Sequence, residues 1–398
     1  MPASELALQT TPIESHGLAA AVPFTKSANK ALIGRATDFW LIGGASIFVW
    51  AALYVVSFKR GNWAVDHHIA NLPLLAASLA LVVNYPHFMV SYKIAYSRGW
   101  RFILSHWFHL LFVPLGLLAT FFVAYIGYTD ANPLPPALNP LGLRAGEGLM
   151  YLMIGLMYLT VGWHYIKQTF GCMMVYGSFD GYKISLFQRR VLLTLLYSLA
   201  VFNFLGAHVG EQRQSNFYGI ITWSIGLPQE VSLVAAILFW VLLVFFGYSV
   251  LWRNWRATGR WPSLHFVVPL LAILVWWLPI FYQADFYFQL VPLFHSLQYL
   301  PFAYRYEEGR NAALSKPSWA GSFQVLALIA AGYLAFELLP YMTEDAMKTP
   351  AMPKVLFFVA AAHLFINIHH YFIDNVIWKF HQPEIQKYLF GRNEAVAT

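Results

Sequence analysis

The sequence is poor in charged residues, which make up 11% of its 398 positions. Soluble domains average about 25% charged residues, so this chain has too few to cover a water-facing surface. Hydrophobic types make up 59% of the chain, and apolar runs long enough to cross a bilayer recur throughout. Many aromatic residues stand at the ends of these runs, as membrane interfaces favour. These features predict an all-α, polytopic membrane helix bundle.

Cysteine is almost absent, and Cys172 is its one occurrence. A disulfide framework, a cysteine-ligated zinc site and an iron–sulfur cluster are therefore excluded within one chain. A continuous basic stripe is also missing, so the net charge of +7 does not indicate a nucleic-acid partner. Residues 1–36 lack the short apolar core and cleavage site of a secretory signal, so we expect them to remain as a tail.

Ten apolar segments are long enough to form membrane helices. They lie at about 38–57, 68–92, 102–127, 148–176, 190–207, 229–251, 264–282, 286–304, 321–341 and 355–378. The segment Phe217–Leu227 is apolar but short, and it is predicted to lie at the membrane interface. Asp130–Leu143 is rich in Pro and Asn, which predicts a loop outside the membrane.

Lysine and arginine are distributed unequally between alternate loops. The loops on one side carry 18 of them and the opposite loops carry 6, while Lys167 lies within a span. Because cytoplasmic loops are enriched in Lys and Arg, this alternation predicts about ten spans with both termini in the cytoplasm. The predicted organisation is an N-terminal tail over 1–36, a transmembrane domain over 37–380 and a C-terminal tail over 381–398, in a bacterial cytoplasmic membrane.

Histidine is frequent for so apolar a chain, with 14 residues. Spans two, four, eight and ten carry the histidines that lie deepest: His87, His164, His295 and the group His363, His369 and His370. All four spans run in the same direction, and each histidine precedes the cytoplasmic end of its span. At about 1.5 Å per residue they reach a similar depth. Polar groups inside spans usually mark function, so four imidazoles at one depth predict a single metal site.

The last span carries a polar stripe. On a helical period His363, Asn367, His370 and Asp374 share one face, whereas His369 falls about 120° away. Asp374 is one turn from His370 and could orient that imidazole by accepting its second ring proton. Helical periodicity alone therefore favours His370 as the inward member of the pair.

Two amides stand close to the histidines of other spans. Gln168 follows His164 by one turn, and Gln298 follows His295 by three residues, so either could orient an imidazole. His106 and His109 lie at the start of the third span, where an interfacial structural role is favoured. Any single histidine could instead be a hydrogen-bonding group between helices.

The histidine motifs resemble those of the Brp/Blh family of membrane β-carotene 15,15′-dioxygenases. Pro86-His87, His164, Phe294-His295-Ser296 and His369-His370 before Asp374 follow that family's order. The resemblance covers four short motifs between residues 84 and 374, and this chain is longer and has extra predicted spans. It departs from the family at Phe88-Met89-Val90, where the family has glycines and an aspartate.

The resemblance implies a non-haem iron(II) site with dioxygen as co-substrate. Its implied ligands are His87, His164, His295 and His369 or His370, with Asp374, Gln168 and Gln298 orienting them. The family's histidine precedes its aspartate by five residues, and on this spacing we favour His369. The implied partners are membrane lipids and an apolar substrate, either carotenoid-like or another lipid.

The aromatics beside these motifs, Tyr165, Phe294 and Tyr371, could line a channel for such a substrate. Imidazole nitrogen also suits copper and zinc, so the residues themselves leave the metal open. Three other functions stay open: a di-iron lipid desaturase or hydroxylase, a haem-binding membrane protein, and a proton or metal transporter. The desaturases carry about eight histidines in clustered boxes, whereas these histidines are mostly single. The chain shows no internal repeat of the kind that transporters often contain.

Overall fold

The chain folds almost entirely into helices. A computed structural model describes residues 31–60, 75, 78–129, 144–278, 285–317, 319–347 and 354–391. Its α-helices are α1 Arg35–Phe39, α2 Ala45–Arg60, α3 Tyr85–Tyr96, α4 Trp100–Ser105, α5 Val113–Thr129, α6 Ala145–Phe179, α7 Leu186–Ala207, α8 Gln229–Phe246, α9 Arg253–Thr258, α10 Leu264–Trp277, α11 Asp285–Ala313, α12 Trp319–Tyr333, α13 Leu339–Met347, α14 Phe357–Ile377 and α15 Pro383–Phe390.

Short π-helical turns extend or join several of these helices. They lie at Trp40–Gly44, Ala80–Asn84, Phe108–Phe112, Gly247–Trp252 and Leu334–Leu338. The first joins α1 to α2, the fourth joins α8 to α9 and the last joins α12 to α13. Each π turn changes the direction in which the following side chains point, and such turns are frequent at functional sites.

Six helices of the described part are long and apolar enough to cross a membrane. They are Arg35–Val55, Phe108–Tyr128, Ala145–Phe179, Leu186–Ala207, Gln229–Thr258 and Trp319–Met347. These helices support an integral membrane protein and a helix bundle, as the sequence predicts. The count of ten spans and the orientation of the termini stay predictions.

The other predicted spans are not among these six helices, because they are shorter or less apolar or lie partly outside the described residues. Residues 286–304 and 355–378 form α11 and α14, but these helices carry histidines and amides that reduce their apolarity. The apolar helix α10 is only 14 residues long. Part of the span predicted at 68–92 lies outside the described residues, as do the loop Asp130–Leu143, the first 30 residues and the last seven.

The segment predicted to lie at the membrane interface forms a β-hairpin. Strand β1, Gln214–Phe217, pairs antiparallel with β2, Ile220–Trp223. Tyr218 and Gly219 connect the strands with φ angles of 51° and 89°, as a type I′ turn requires. A Cβ atom on Gly219 would lie 2.2 Å from the carbonyl oxygen of Lys354, so only glycine fits this approach.

Helix α6 lies at the centre of the bundle, where it packs against α5, α7, α10 and α14. Its crossing with α5 is very close, because a Cβ on Gly146 would lie 2.2 Å from the carbonyl oxygen of Ala124. Small residues at such crossings let membrane helices approach and gain van der Waals contact. Helix α14 packs against α3, α5 and α6. This arrangement brings the histidine-bearing helices α3, α6, α11 and α14 together.

The predicted C-terminal tail includes the helix α15. Its Ile385, Leu389 and Phe390 are buried against the core next to α11. Arg98 anchors the same helix, since its guanidinium contacts the Glu384 carboxylate at 3.1 Å and donates to Gln382 Oε1 at 2.7 Å. The end of the bundle that carries the loops rich in Lys and Arg is therefore closed by a docked helix.

Candidate metal centre

Four helices bring one histidine each to a single buried point. His87 comes from α3, His164 from α6, His295 from α11 and His370 from α14. Each of these side chains is at most 4% exposed. Asp374 follows one turn after His370 and joins the group. We refer to these five residues as the imidazole cluster.

The distances within the imidazole cluster are those of ligands around one ion. The Nε2 atoms of His164 and His295 lie 2.9 Å apart. One ligand atom from each of His87, His164, His370 and Asp374 lies within 4.8 Å of the others. Metal–nitrogen bonds of about 2.1 Å place adjacent ligand atoms roughly 3 Å apart. These distances are compatible with one first-row metal ion among His87, His164, His370 and Asp374.

Local backbone features orient two of the histidines. The π turn Ala80–Asn84 ends immediately before α3, and Pro86 stands in the first turn of that helix, next to His87. Pro292 lies three residues before His295 inside α11. Proline lacks an amide hydrogen and interrupts regular helical hydrogen bonding. Both histidines thus follow a local departure from a regular α-helix.

Ser296 fixes the protonation of His87. The Ser296 hydroxyl donates to Asn84 Oδ1 at 2.6 Å and lies 3.0 Å from His87 Nδ1. Because that hydroxyl proton is directed to Asn84, the serine oxygen accepts from Nδ1–H of His87. The Nε2 atom of His87 then carries a free lone pair, which is the form that binds a metal. Sequence reasoning missed Ser296 and Asn84 here, although both lie within one turn of a predicted ligand.

Several nitrogen atoms in the imidazole cluster are buried without a hydrogen-bond partner. They are His87 Nε2, His295 Nδ1 and both ring nitrogens of His370. Buried polar atoms are nearly always hydrogen-bonded, and leaving one unsatisfied costs about 1–3 kcal/mol. Orphaned nitrogens on two neighbouring rings, His87 and His370, are explained if their lone pairs bind a cation. The residues of the cluster therefore fit a bound metal ion.

The two oxygens of Asp374 have different surroundings. Oδ1 accepts hydrogen bonds from Ser91 at 2.8 Å and from Tyr299 at 3.3 Å. Oδ2 faces the histidines, 3.4 Å from His370 Nε2 and 3.9 Å from His164 Nε2. The hydroxyls hold the carboxylate in place while Oδ2 stays available to the cluster. Ser91 and Tyr299 give no sequence signal beyond being polar residues inside spans.

The structure separates the two histidines of the pair in α14. His370 lies in the imidazole cluster, in contact with the rings of His87 and His164. His369 points away: its Nδ1 lies 3.0 Å from the Tyr92 hydroxyl and its Nε2 lies 3.2 Å from the carbonyl oxygen of His109. The preference for His369, drawn from family spacing, is at odds with this placement. Simple helical periodicity identified the inward residue because α14 is a regular helix here.

The two predicted amides contact the backbone and each other instead of the imidazole rings. Gln168 Nε2 donates to the His295 carbonyl oxygen at 2.8 Å and to Gln298 Oε1 at 3.1 Å. Gln298 Nε2 donates to the carbonyl oxygen of Ile42 at 2.7 Å. These bonds connect α6, α11 and the first π turn, so the amides position the helix that carries His295.

The other described histidines singled out in the sequence, His363, His109 and His106, lie away from the imidazole cluster. His363 Nε2 is 3.1 Å from the Tyr218 hydroxyl on the hairpin. His109 Nε2 is 3.4 Å from Asn375 Nδ2, and His106 Nδ1 is 3.0 Å from the Phe102 carbonyl oxygen. The polar stripe of α14 therefore enters the cluster only through His370 and Asp374.

Two of the aromatics predicted to line a channel stack on histidines of the cluster. The Tyr165 ring stacks on His295 with centroids 4.0 Å apart, and Tyr371 stacks on His164 with centroids 4.6 Å apart. Phe294 is buried in the same apolar core as Tyr165. Stacking restricts imidazole rotation, so these rings hold His164 and His295 in fixed orientations.

A cavity of about 430 Å³ adjoins the imidazole cluster. His164, Asp374 and Tyr371 form part of its wall, and Trp163, Phe170, Phe302 and Trp378 contribute aromatic surface. Small-molecule sites typically have volumes of about 300–1,000 Å³, so the cavity is large enough for an organic ligand. It gives such a ligand direct access to His164 and Asp374.

We also compared the chain with known proteins. It has no significant match to any protein-family model, to any curated protein or to any solved structure.

Proposed function

We propose that this protein is a membrane oxygenase in which the imidazole cluster binds non-haem iron(II) and oxidises a lipid substrate with dioxygen. The observation that carries the proposal is the convergence of four buried histidines and one carboxylate, with ligand atoms of His87, His164, His370 and Asp374 within 4.8 Å of one another. The orphaned lone pairs of His87 and His370 are available as ligands for a divalent ion.

The donor set favours iron(II). Imidazole nitrogen suits iron, copper and zinc, whereas a carboxylate beside histidines with open positions is typical of non-haem iron oxygenases. His87, His164, His295 and His370 would hold the ion, and Asp374 Oδ2 would either bind it or orient His370. Bound iron(II) supplies dioxygen activation. Ser296 and Tyr371 keep the ligand rings oriented through their contacts with His87 and His164.

The oxidation can be balanced without an external reductant. Cleavage of one carbon–carbon double bond by dioxygen puts one oxygen atom on each carbon, and the alkene supplies all the electrons that reduce the dioxygen. Burial helps this chemistry because it keeps water away from reactive species. The aromatic walls of the cavity, including Trp163 and Phe302, would exclude water and bind an apolar chain.

The resemblance to the Brp/Blh dioxygenases supports the reaction class and leaves the substrate as a proposal. With His370 in the cluster, the spacing to Asp374 is four residues, where the family has five. Phe88 also differs from the family, and its ring packs against His370 with centroids 4.7 Å apart. We therefore propose a lipid substrate without restricting it to β-carotene.

The geometry disfavours the haem and di-iron alternatives. A haem needs its two axial nitrogens on opposite faces of a porphyrin, whereas His164 and His295 nitrogens lie 2.9 Å apart. A di-iron centre needs roughly twice as many ligands, and the described residues contain a single group of this kind.

Metal analysis of the purified protein, together with its optical spectrum, tests the proposal. We expect about one iron per chain after anaerobic loading with iron(II), no Soret band, and oxygen uptake that depends on a lipid alkene. Stoichiometric zinc that iron(II) cannot displace would contradict the iron assignment. A protein that binds no divalent metal would overturn the proposal as a whole.

A further inference from the structure

The cavity beside the imidazole cluster is partly basic. Lys167, Arg189, Lys379 and His381 line it together with His164 and Asp374. Lys167 follows His164 by three residues on α6, so the two side chains lie on the same side of that helix. Lys379 follows Asp374 by five residues and lies just beyond the end of α14. Both lysines therefore come after the nearest cluster residue along the chain, and a ligand in this cavity can contact imidazole, carboxylate and cationic groups.

The charges of Lys167 and Lys379 are not balanced by acidic residues in the described part of the chain. Asp374 is the one carboxylate among the residues that line the cavity, and Ser91 and Tyr299 hold it beside the histidines. Lys167 and Lys379 form no ion pair with any carboxylate in the described part of the chain. Lys379 donates to Asn375 Oδ1 at 3.4 Å, a contact with a neutral group.

The two lysines are close enough to affect each other. Burial, and then the charge of Lys167, lower the pKa of Lys379. Lys379 is half-buried and Lys167 is exposed, and an anion placed between two ammonium groups that repel each other stabilises both. This part of the cavity is thus an electrostatic site for a negatively charged group.

The other walls of the cavity are apolar. Trp163, Phe170, Phe302, Trp378 and Phe380 line it, and its volume is about 430 Å³. Such walls bind a hydrocarbon chain by burial of apolar surface, whereas a free inorganic anion would leave them without a partner. Apolar walls combined with two lysines beside the imidazole cluster match a molecule that has both an apolar chain and an anionic group.

We infer that the cavity binds an anionic amphiphile, with its head group at Lys167 and Lys379 and its single apolar chain directed toward the imidazole cluster. The inference deepens the proposed function and rests on it for the role of the ligand as substrate. A carboxylate and a phosphate ester share the required chemistry. Hydrocarbon carotenes have no anionic head group. The substrate would therefore be a fatty acid or a single-chain lipid phosphate.

Equilibrium binding to the full chain in a nonionic detergent tests this inference. Radiolabelled palmitate is the probe, and hexadecyl phosphate and hexadecanol compete for it. We expect the anions to bind at least tenfold more tightly than the neutral alcohol, because charge-assisted contacts strengthen binding by about tenfold or more each. The stronger of the two anions identifies the head group. Equal binding of the alcohol and both anions would overturn the inference.

A matched pair of double variants locates the head group. Lys167→Gln with Lys379→Gln removes two charges from the cavity, whereas Arg190→Gln with Lys387→Gln removes two exposed charges that do not line it. The first variant should lose most of the preference for anions, and its affinity for hexadecanol should stay the same. The second should bind like the unmodified protein. Equal losses in both variants would show a general effect of surface charge and would contradict the site.

Metal content, measured in the same samples, separates this inference from the proposed function. Loss of anion preference in the cavity variant with metal retained supports the anion site. Anion preference in a protein that binds no metal would leave the anion site in place and overturn the oxygenase proposal. Metal binding without any anion preference would overturn the anion site and leave the oxygenase proposal in place.

Discussion

Helices α8 and α14 belong to the same bundle but have different surroundings. Helix α8 buries 3 of its 18 residues, whereas α14 buries 13 of its 21. The helix that contains α8 is the most apolar of the six long ones, and α14 is not among the six. Outward-facing side chains such as Leu233 and Val244 suit a lipid environment. In α14 the neighbouring helices take the place of lipid, so polar side chains can be kept where they find partners.

The difference shows where this molecule concentrates chemistry. High apolarity marks the periphery, where side chains need only to avoid water. Lower apolarity marks the centre, where His370 and Asp374 meet His87 and His164. The contrast continues within α14, since adjacent residues His369 and His370 lie in separate hydrogen-bonding environments. The comparison can be tested at each of these levels.

The largest effect is expected from replacement of His370. His370→Ala removes a ligand whose nitrogens have no other partner, so bound metal should fall to a small fraction of the unmodified level. His369→Ala is the matched control, because His369 is engaged by Tyr92 and the carbonyl group of His109. That variant should retain its metal. Metal analysis after iron(II) loading measures both, and the opposite ranking would contradict the placement of the pair.

Most of the candidate site could be predicted from the sequence because its proposed ligands are rare residues in an apolar background. His87, His164 and His295 stand out as histidines in largely apolar spans, and a shared depth follows from helix rise alone. Helical periodicity favoured His370, the residue that the structure places in the cluster, although our preference was for His369. Family spacing favoured the other residue, because spacing along the chain carries no information about which helix face packs inward.

Other features could not be predicted because they depend on packing between distant segments. Ser296 and Asn84 are ordinary polar residues until α11 and the π turn before α3 come together. The Tyr218-Gly219 hairpin arises from a turn and a close approach to Lys354, in a segment that looked merely apolar. Gln168 and Gln298 lie near the predicted histidines, but their bonds to backbone carbonyls depend on helix positions that periodicity does not provide.

The loss of a leucine side chain should destabilise the protein more in α14 than in α8. This difference should be smaller than the effect of His370→Ala on metal binding. Leu364 in α14 is fully buried, whereas Leu233 in α8 is 60% exposed. Leu364→Ala leaves a cavity and should reduce the free energy of unfolding by about 2–5 kcal/mol. Leu233→Ala makes the same chemical change on the outer surface and should shift it by about 0.5 kcal/mol or less. Thermal unfolding in a nonionic detergent measures both, and equal shifts would show that α8 is also packed against protein.

The serine that orients His87 should have an intermediate effect on the metal centre. Ser296→Ala removes the acceptor for His87 Nδ1–H, and metal affinity should fall about 10- to 100-fold. Ser249→Ala is the control, because Ser249 is also buried but donates to the Phe245 carbonyl oxygen beside α8. Its metal affinity should not change. A titration with iron(II) under argon distinguishes them, and unchanged affinity in Ser296→Ala would remove Ser296 from the site.

The smallest effect is expected at the far end of the polar stripe of α14. His363 shares a helix face with His370, but its Nε2 lies 3.1 Å from the Tyr218 hydroxyl and outside the imidazole cluster. His363→Ala should therefore leave the metal content intact. It should reduce the free energy of unfolding by about 1–3 kcal/mol, because it removes the hydrogen bond to Tyr218 and the ring contact with Phe336. Tyr218→Phe removes only the hydrogen bond and should cost about 1 kcal/mol. The double variant should be little less stable than His363→Ala, since the two changes share that bond. Loss of metal in His363→Ala, with metal retained in Tyr218→Phe, would instead mean that the whole stripe serves the metal centre.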